Sequence, residues 1–232
     1  MPVTGTYTVR VTVAPGYAST LSLTLSGEVT GTLPPNTTPT TFSTARVGQN
    51  ARYTFSGTIG QNVSVAWSGS TITAGQVYVY QPDGLQLSTA SFGADGYISL
   101  TSLLETGTYT VWVVPNGVYT GQVAMHLLTD ATGPISTNGA PLDVSLLGFQ
   151  NGSFTFVANA GQELTLTVDN LLTVPASQPV GISVLAPDGV TTIATCGVAG
   201  PCALPVLTVT GTYTVRVFDS ANFTTTLTLS LQ

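Results

Sequence analysis

Apolar and polar residues alternate at every second position through most of the chain. In the opening stretch Tyr7, Val9 and Val11 share one face, while Thr6, Thr8 and Arg10 share the other. Leu21, Leu23 and Leu25 repeat the pattern, and so do Val63, Val65 and Trp67. Successive side chains of a strand point to opposite faces, so each run predicts a strand with one dry face. No stretch carries the helical period. Pro82-Asp83-Gly84 and Pro187-Asp188-Gly189 punctuate the runs. Each combines a preset φ, a capping side chain and a residue that accepts positive φ, which predicts a tight turn. Many short strands without helices predict an all-β sandwich or jelly roll.

One phrase is written three times. Gly-Thr-Tyr-Thr-Val starts at Gly5, Gly107 and Gly211, spacings of 107 − 5 = 102 and 211 − 107 = 104 residues. Such a period is the size of a whole β domain, so the chain is an array. Gln49 to Phe55 matches Gln150 to Phe156, and Gly60-Gln61 matches Gly161-Gln162. Val63, Val65 and Trp67 fall on Leu164, Leu166 and Val168. The expected architecture is two tandem antiparallel β-sandwich, jelly-roll-like domains, residues 27–132 and 133–232. The Pro/Thr-rich stretch from Thr30 to Thr41, with its counterpart from Thr129 to Pro141, reads as a linker or an irregular first strand. Residues 1–26 are expected to form an orphan closing hairpin of a preceding repeat. Its apolar rows, Tyr7, Val9, Val11, Leu21, Leu23 and Leu25, have no core of their own, and an isolated hairpin is marginal in water. It is therefore read as part of another unit, as packing on the first unit, or as a strand-addition segment for head-to-tail assembly.

Composition narrows the function. Only 6% of the 232 residues are charged, lysine is absent, and the net charge is −6. No basic stripe exists to displace phosphate counterions, so nucleic acid is excluded as an expected partner. No apolar run is long enough for a membrane-spanning helix. Cys196 and Cys202 are the only cysteines. Their spacing does not match a Cys-x-x-Cys redox motif, and neither His nor acid lies close by for zinc. A disulfide closing a Gly/Pro loop is the expectation, and with it an oxidising compartment. Any targeting signal would lie outside these residues.

Each unit resembles the bacterial pre-peptidase C-terminal domain. The resemblance rests on an aromatic opening strand (Tyr53-Thr54-Phe55, Phe154-Thr155-Phe156), then Gly-Gln and an alternating strand. A β run ending in Pro-Asp-Gly follows, and the closing Gly-Thr-Tyr-Thr-Val completes it. It spans nearly all of both units. It implies a jelly-roll-like sandwich that is a non-catalytic accessory of secreted and cell-surface proteins, some members binding calcium, collagen or polysaccharide. Gly75-Gln76 and Pro179-Val180 stand where that family often carries acidic residues, a departure that weakens calcium binding.

The residues give little catalytic chemistry. His126 is the only histidine and alternates with Met125 and Leu127, so it is expected to face outward from its strand. No Gly-x-Ser-x-Gly elbow is present and the ten carboxylates are scattered. No cofactor is expected; calcium is the one ion left open, held mostly by loop carbonyls. Trp112 takes the outward slot that Arg10 and Arg216 hold in the other copies, and Tyr78 and Tyr80 are expected to point outward too. These three form the candidate ligand or partner surface, whereas Trp67 falls on the core face. Asn36, Asn62, Asn151 and Asn222 head glycosylation sequons. The expected function is a non-catalytic structural or adhesive repeat segment of a bacterial extracellular or cell-surface protein. It would serve as stalk or filament block with itself or neighbouring repeats as partner. The alternative is a polysaccharide-binding accessory module.

Overall fold

The computed structural model describes residues 4–36, 38–117, 119–219 and 222–232. Among them are eighteen strands and no helix. The first nine are β1 (Val29–Thr32), β2 (Thr40–Ser43), β3 (Ala51–Gly57), β4 (Val63–Ser68), β5 (Gly75–Tyr80), β6 (Gln86–Phe92), β7 (Gly96–Leu100), β8 (Gly107–Pro115) and β9 (Gln122–Thr129). They make two facing sheets, ordered β1-β3-β8-β5-β6 and β2-β9-β4-β7. The second nine are β10 (Ala131–Pro134), β11 (Leu142–Leu146), β12 (Gly152–Ala158), β13 (Thr165–Val174), β14 (Val180–Leu185), β15 (Thr192–Cys196), β16 (Gly200–Ala203), β17 (Gly211–Asp219) and β18 (Thr224–Leu231). Their sheets, β10-β12-β17-β14-β15 and β11-β18-β13-β16, repeat the same order. Each unit is thus an all-β sandwich, as the alternation predicts, with one core of inward-facing side chains.

Three details depart from the expected plan. The first strand of each unit runs parallel to the third, β1 along β3 and β10 along β12, while the other strand–strand pairings are antiparallel; the isolated bridges Pro35–Leu127 and Thr137–Leu231 are parallel too. The Pro/Thr-rich stretches hold a first strand, β1 or β10, that is broken off rather than continuous: a second short strand begins at Thr40 or Leu142 and joins the other sheet. The second unit also starts earlier than Gly133, because β10 begins at Ala131. Only Asp130 separates it from β9.

The repeated phrase is explained by its packing. Tyr109 and Tyr213 are buried rings, stacked on Phe55 at 5.2 Å and on Phe156 at 5.4 Å. A buried phenol needs an acceptor. Each hydroxyl donates back to a backbone carbonyl just before its strand, Glu105 at 2.8 Å and Val209 at 2.6 Å. The phrase's glycine is fixed by a second motif. A Cβ on Gly107 would meet the Pro82 ring at 2.8 Å, and one on Gly211 would meet Pro187 at 2.9 Å. The Pro of each Pro-Asp-Gly turn therefore rests on the glycine that opens the phrase, and no larger residue fits.

The phrase does not open a hairpin. β8 pairs with β3 and β5 in one sheet, and β9 pairs with β2 and β4 in the other. The two strands are central strands of opposite sheets and face each other across the core. This corrects the hairpin expectation for residues 1–26. Met1, Pro2 and Val3 lie outside the described residues. From residue 4 to residue 26 no strand forms. A turn closes at Tyr17, whose N–H bonds to Ala14 at 3.2 Å. The flanking arms expose Tyr7, Val9, Val11, Leu21, Leu23 and Leu25, with Val9 at 72% and Leu25 at 82%. Copies of β8 and β9 have no reason to pair with each other, because their normal partners are the other strands of a sandwich.

Cys196 and Cys202 form a disulfide with a Cα–Cα distance of 5.5 Å. It links β15 to β16, edge strands of the two facing sheets, and so staples the open side of the second unit. Replacing both cysteines by serine should lower that unit's unfolding free energy by about 2 kcal/mol, the loop-closure term for so short a ring. Urea unfolding read by a probe in each unit checks this, with the first unit's midpoint unchanged.

Candidate functional site

The densest chemistry outside the cores lies where the two units meet. Phe149 sits in the turn before β12 at positive φ (64°), the conformation Gly48 (77°) adopts in the first unit. Its ring is 2% exposed and packs with Ala66 and Leu128 of the first unit, 5.6 Å from the Tyr97 ring. Asp130, the single connecting residue, accepts hydrogen bonds from Asn62 at 2.9 Å and Ser153 at 2.6 Å, one from each unit. Asn62 is held in turn by the Ser102 N–H at 2.8 Å. Asp95 of the first unit accepts from Gly69 N–H and from Asn222 of the second, both at 2.9 Å. Gln150 donates to the Thr129 carbonyl at 2.9 Å, locking the last residue of β9. An apolar peg and a ring of side-chain hydrogen bonds thus fix one unit on the other.

Beside this contact lies a cleft of about 820 Å³ between β7 and the loops of the first unit, including Tyr97, Ser99 and Ser102, and the outer face of the second unit's larger sheet. That face presents Ser153, Ser183, Leu185 and Arg216. The Arg216 Nε is buried without a hydrogen-bond partner.

The equivalent face of the first unit carries the aromatic residues expected there. Trp112 pairs across the sheet with Arg52 on one side and Tyr78 on the other, as Arg216 pairs with Ser153 and Ser183. Tyr78 lies 5.6 Å from Trp112 and 6.4 Å from Tyr80. The Arg52 guanidinium sits over the indole, 5.1 Å from its centroid. The Trp112 N–H donates to Glu28 at 2.7 Å, and Arg52 pairs with the same carboxylate at 2.9 Å. The Arg52 hydrogen bond holds the Glu28 carboxyl below the usual glutamate range, and Trp112 adds to that. The strip is therefore partly covered by the protein's own polar groups. Trp67 is in the core as expected, its N–H on the Ala94 carbonyl at 2.9 Å.

No family model matches the chain. No curated protein matches it either. Among solved structures, the periplasmic inhibitor of g-type lysozyme PliG from Aeromonas hydrophila aligns at 23% identity and a TM-score of 0.35. The alignment covers 44% of this chain and 96% of PliG. The CUB1-EGF-CUB2 region of human MASP-1/3 aligns at 6% identity and a TM-score of 0.26, over 84% of this chain and all of that region.

The remaining candidates resolve individually. His126 is not a free surface histidine: it is partly buried, and its Nε2 hydrogen-bonds the Ser68 hydroxyl at 2.9 Å. Burial pushes its pKa down, opposed by the charge of Asp95. Asn151 is 6% exposed and so is closed to glycosylation in the folded chain. Asn36 is exposed but donates to Thr129 at 2.7 Å, and the amides of Asn62 and Asn222 are the inter-unit bonds described above. Among the described residues, no three of His, Cys, Asp and Glu cluster to hold a metal. No helix is long and apolar enough to cross a membrane. Phe149, Asp95 and Asp130 escaped sequence reasoning. The one available signal was Phe149 standing where the matched repeat has Gly48.

Two predictions follow from this geometry. Phe149→Ala should cost about 3 kcal/mol of inter-unit coupling, the usual penalty for deleting a buried ring. Because the first unit folds with glycine at that position, the expected calorimetric result is two separated transitions in place of a coupled one. For His126, the folded pKa lies below the unfolded value, so the unfolded state binds the proton first. That stabilising contribution is full above the unfolded pKa, about 6.5, and is lost as pH falls below it. The melting temperature should therefore fall between neutral pH and pH about 5.5, and His126→Gln should flatten that decline.

Proposed function

We infer that this chain is a structural repeat segment of an extracellular protein, a spacer that keeps successive β-sandwiches at a fixed distance and orientation. The observation that carries this reading is the junction: one connecting residue, a buried aromatic peg and side-chain bonds from both units onto Asp95 and Asp130. A flexible tether between binding modules would not need to bury an aromatic ring. The disulfide supports an oxidising compartment, because such bonds are reduced in most cytosols. Low charge and a Ser/Thr-rich surface suit a display or secretion role. The exposed arms of residues 4–26 supply the joining element, since they copy the strands around which each unit closes.

The polysaccharide-platform reading has less support. One face of the Trp112 ring already carries Arg52, and the indole N–H is taken by Glu28. Stacking a sugar needs an open ring face.

The spacer reading is tested by spin labels or fluorophores placed on an exposed strand of each unit. A narrow distance distribution is expected, broadening in Phe149→Ala and in Asp130→Ala. A broad distribution in the unaltered chain would overturn the reading.

A further inference from the structure

We propose that the Trp112–Tyr78–Tyr80 strip is the seat of a further sandwich unit of this repeat type, whose two central strands are residues 4–26. The proposal rests on the spacer reading and adds to it the surface and the partner.

The chain enters both units through matching hydrogen bonds. Gln49 donates to the Gly27 carbonyl at 3.2 Å and accepts from Ala45 N–H at 2.7 Å. Gln150 does the same to Thr129 at 2.9 Å and from Leu147 N–H at 3.0 Å. The Val29 N–H bonds to the Asn50 carbonyl at 2.9 Å, and the Ala131 N–H bonds to Asn151 at 2.8 Å. β1 and β10 then pair with β3 and β12 in the same parallel register. Residues 25–28 therefore enter the first unit along the path by which residues 127–130 enter the second. What stands upstream of residue 130 is the complete first unit, built around β8 and β9. What stands upstream of residue 28 is a copy of β8 and β9 with both apolar rows exposed. A body closed around that copy would sit on the first unit as the first sits on the second.

That placement selects the face. In the second unit, the outer surface of the larger sheet lies under β7 and loops of the first, with the 820 Å³ cleft between. From the sheet, Arg216, Leu185 and Phe218 reach into that space beside the small Ser153 and Ser183. In the first unit the matching positions are Trp112 for Arg216, Tyr78 for Ser183 and Tyr80 for Leu185. Ser153 is matched by Arg52 and Phe218 by Val114, so the rings gather on the middle of the first unit's sheet, where the second unit has one small residue, one cation and one leucine. The exchange is reciprocal at the peg. Phe149 anchors the second unit, whereas the first has Gly48 there, and the arm has Ser26 at the position of Leu128. Apolar contact at this junction is moved from the peg to the strip. A second copy of the same chain does not fit the role, because its own two units already hold their central strands.

The test extends the full chain with a copy of residues 27–106 joined directly to Gly5, reproducing the link from Thr106 to Gly107. Amide exchange and hydroxyl-radical labelling are read residue by residue, against the unextended chain. Expected are amide protection over Tyr7–Val11 and Leu21–Leu25 raised by about 1,000-fold or more, and labelling of Trp112 and Tyr78 reduced about fivefold as their rings leave water. Trp112→Ala with Tyr78→Ala should then uncouple melting of the added unit from the first, leaving its arm protection intact. Protected arms with unchanged labelling would overturn the docking surface and leave the spacer reading standing. Unprotected arms would overturn the proposal whole, while the spacer reading stands or falls on the distance distribution between the two units. Protection of the three rings by oligosaccharides in the unextended chain would overturn the proposal in favour of a glycan site.

Discussion

Every unit of this chain closes around one pair of strands that never touch each other's backbone. β8 and β9, like β17 and β18, lie centrally in opposite sheets, so each receives backbone hydrogen bonds from two neighbours and buries one face against the other sheet. Removing the pair would open both sheets at the middle. A sandwich loses more from that than from loss of an edge, because central strands carry two ladders and the deepest side chains. The repeated phrase marks the first strand of the pair. Its tyrosine caps the core with a satisfied hydroxyl, and its glycine receives the proline of the Pro-Asp-Gly turn. Selection for that packing explains why this phrase, among all the strands, is the one written almost without change.

The same constraint decides how units can join. Addition at a sheet edge needs a long free edge, and among the described strands only β6, with seven residues, is an edge of more than five. β1, β2, β10 and β16 are four residues each, and in the second unit a disulfide ties β15 to β16. Short and stapled edges resist pairing with other chains. The exposed arms offer central-strand patterns instead, which match only the middle of a sandwich. Joining through the interior, with the outer faces leaning on neighbouring loops, is the mode consistent with both the short edges and the single-residue connection at Asp130.

Much of this was legible in the alternation. Trp67 in the core, the outward row of Trp112, Tyr78 and Tyr80, the turn prolines and the domain period all follow from period two and from the internal alignment. The partners of the strands were not legible. Tyr7 to Val11 and Leu21 to Leu25 look like a hairpin because two alternating runs flank a turn, and alternation carries no information about which sheet a strand enters. Thr30 to Thr41 reads as a linker or an irregular first strand because its Pro and Thr content hides the break between β1 and β2. The junction was hidden for another reason. Asn62, Asp95, Asp130 and Asn222 read as ordinary loop residues, and only their convergence in space makes them a clamp. Asn151 shows the converse: a sequon read from local sequence is closed by burial that only the fold imposes.

The two junction surfaces also show what a low-charge composition demands. With only four arginines and ten carboxylates, ionic complementarity is a minor resource for holding units in register. At the Asp130 junction specificity comes from neutral amide and hydroxyl donors placed on two carboxylates, and an unmade bond there would leave a partly buried acceptor unsatisfied. At the other end, Glu28, Arg52 and Trp112 form a self-contained group in which the one ion pair supports an aromatic ring. Arg52 thereby both neutralises Glu28 and orients the indole across the strand. The neighbouring unit keeps the acid, as Asp130, but has Ser153 in place of Arg52 and Arg216 in place of Trp112, and that Arg216 is left with a buried, unpartnered Nε. The exchange of Arg and Trp between equivalent sites is therefore a change in how each face is filled. One face is finished by its own side chains around Trp112, and the other remains an open cleft of mixed polar and apolar lining beside the Phe149 peg.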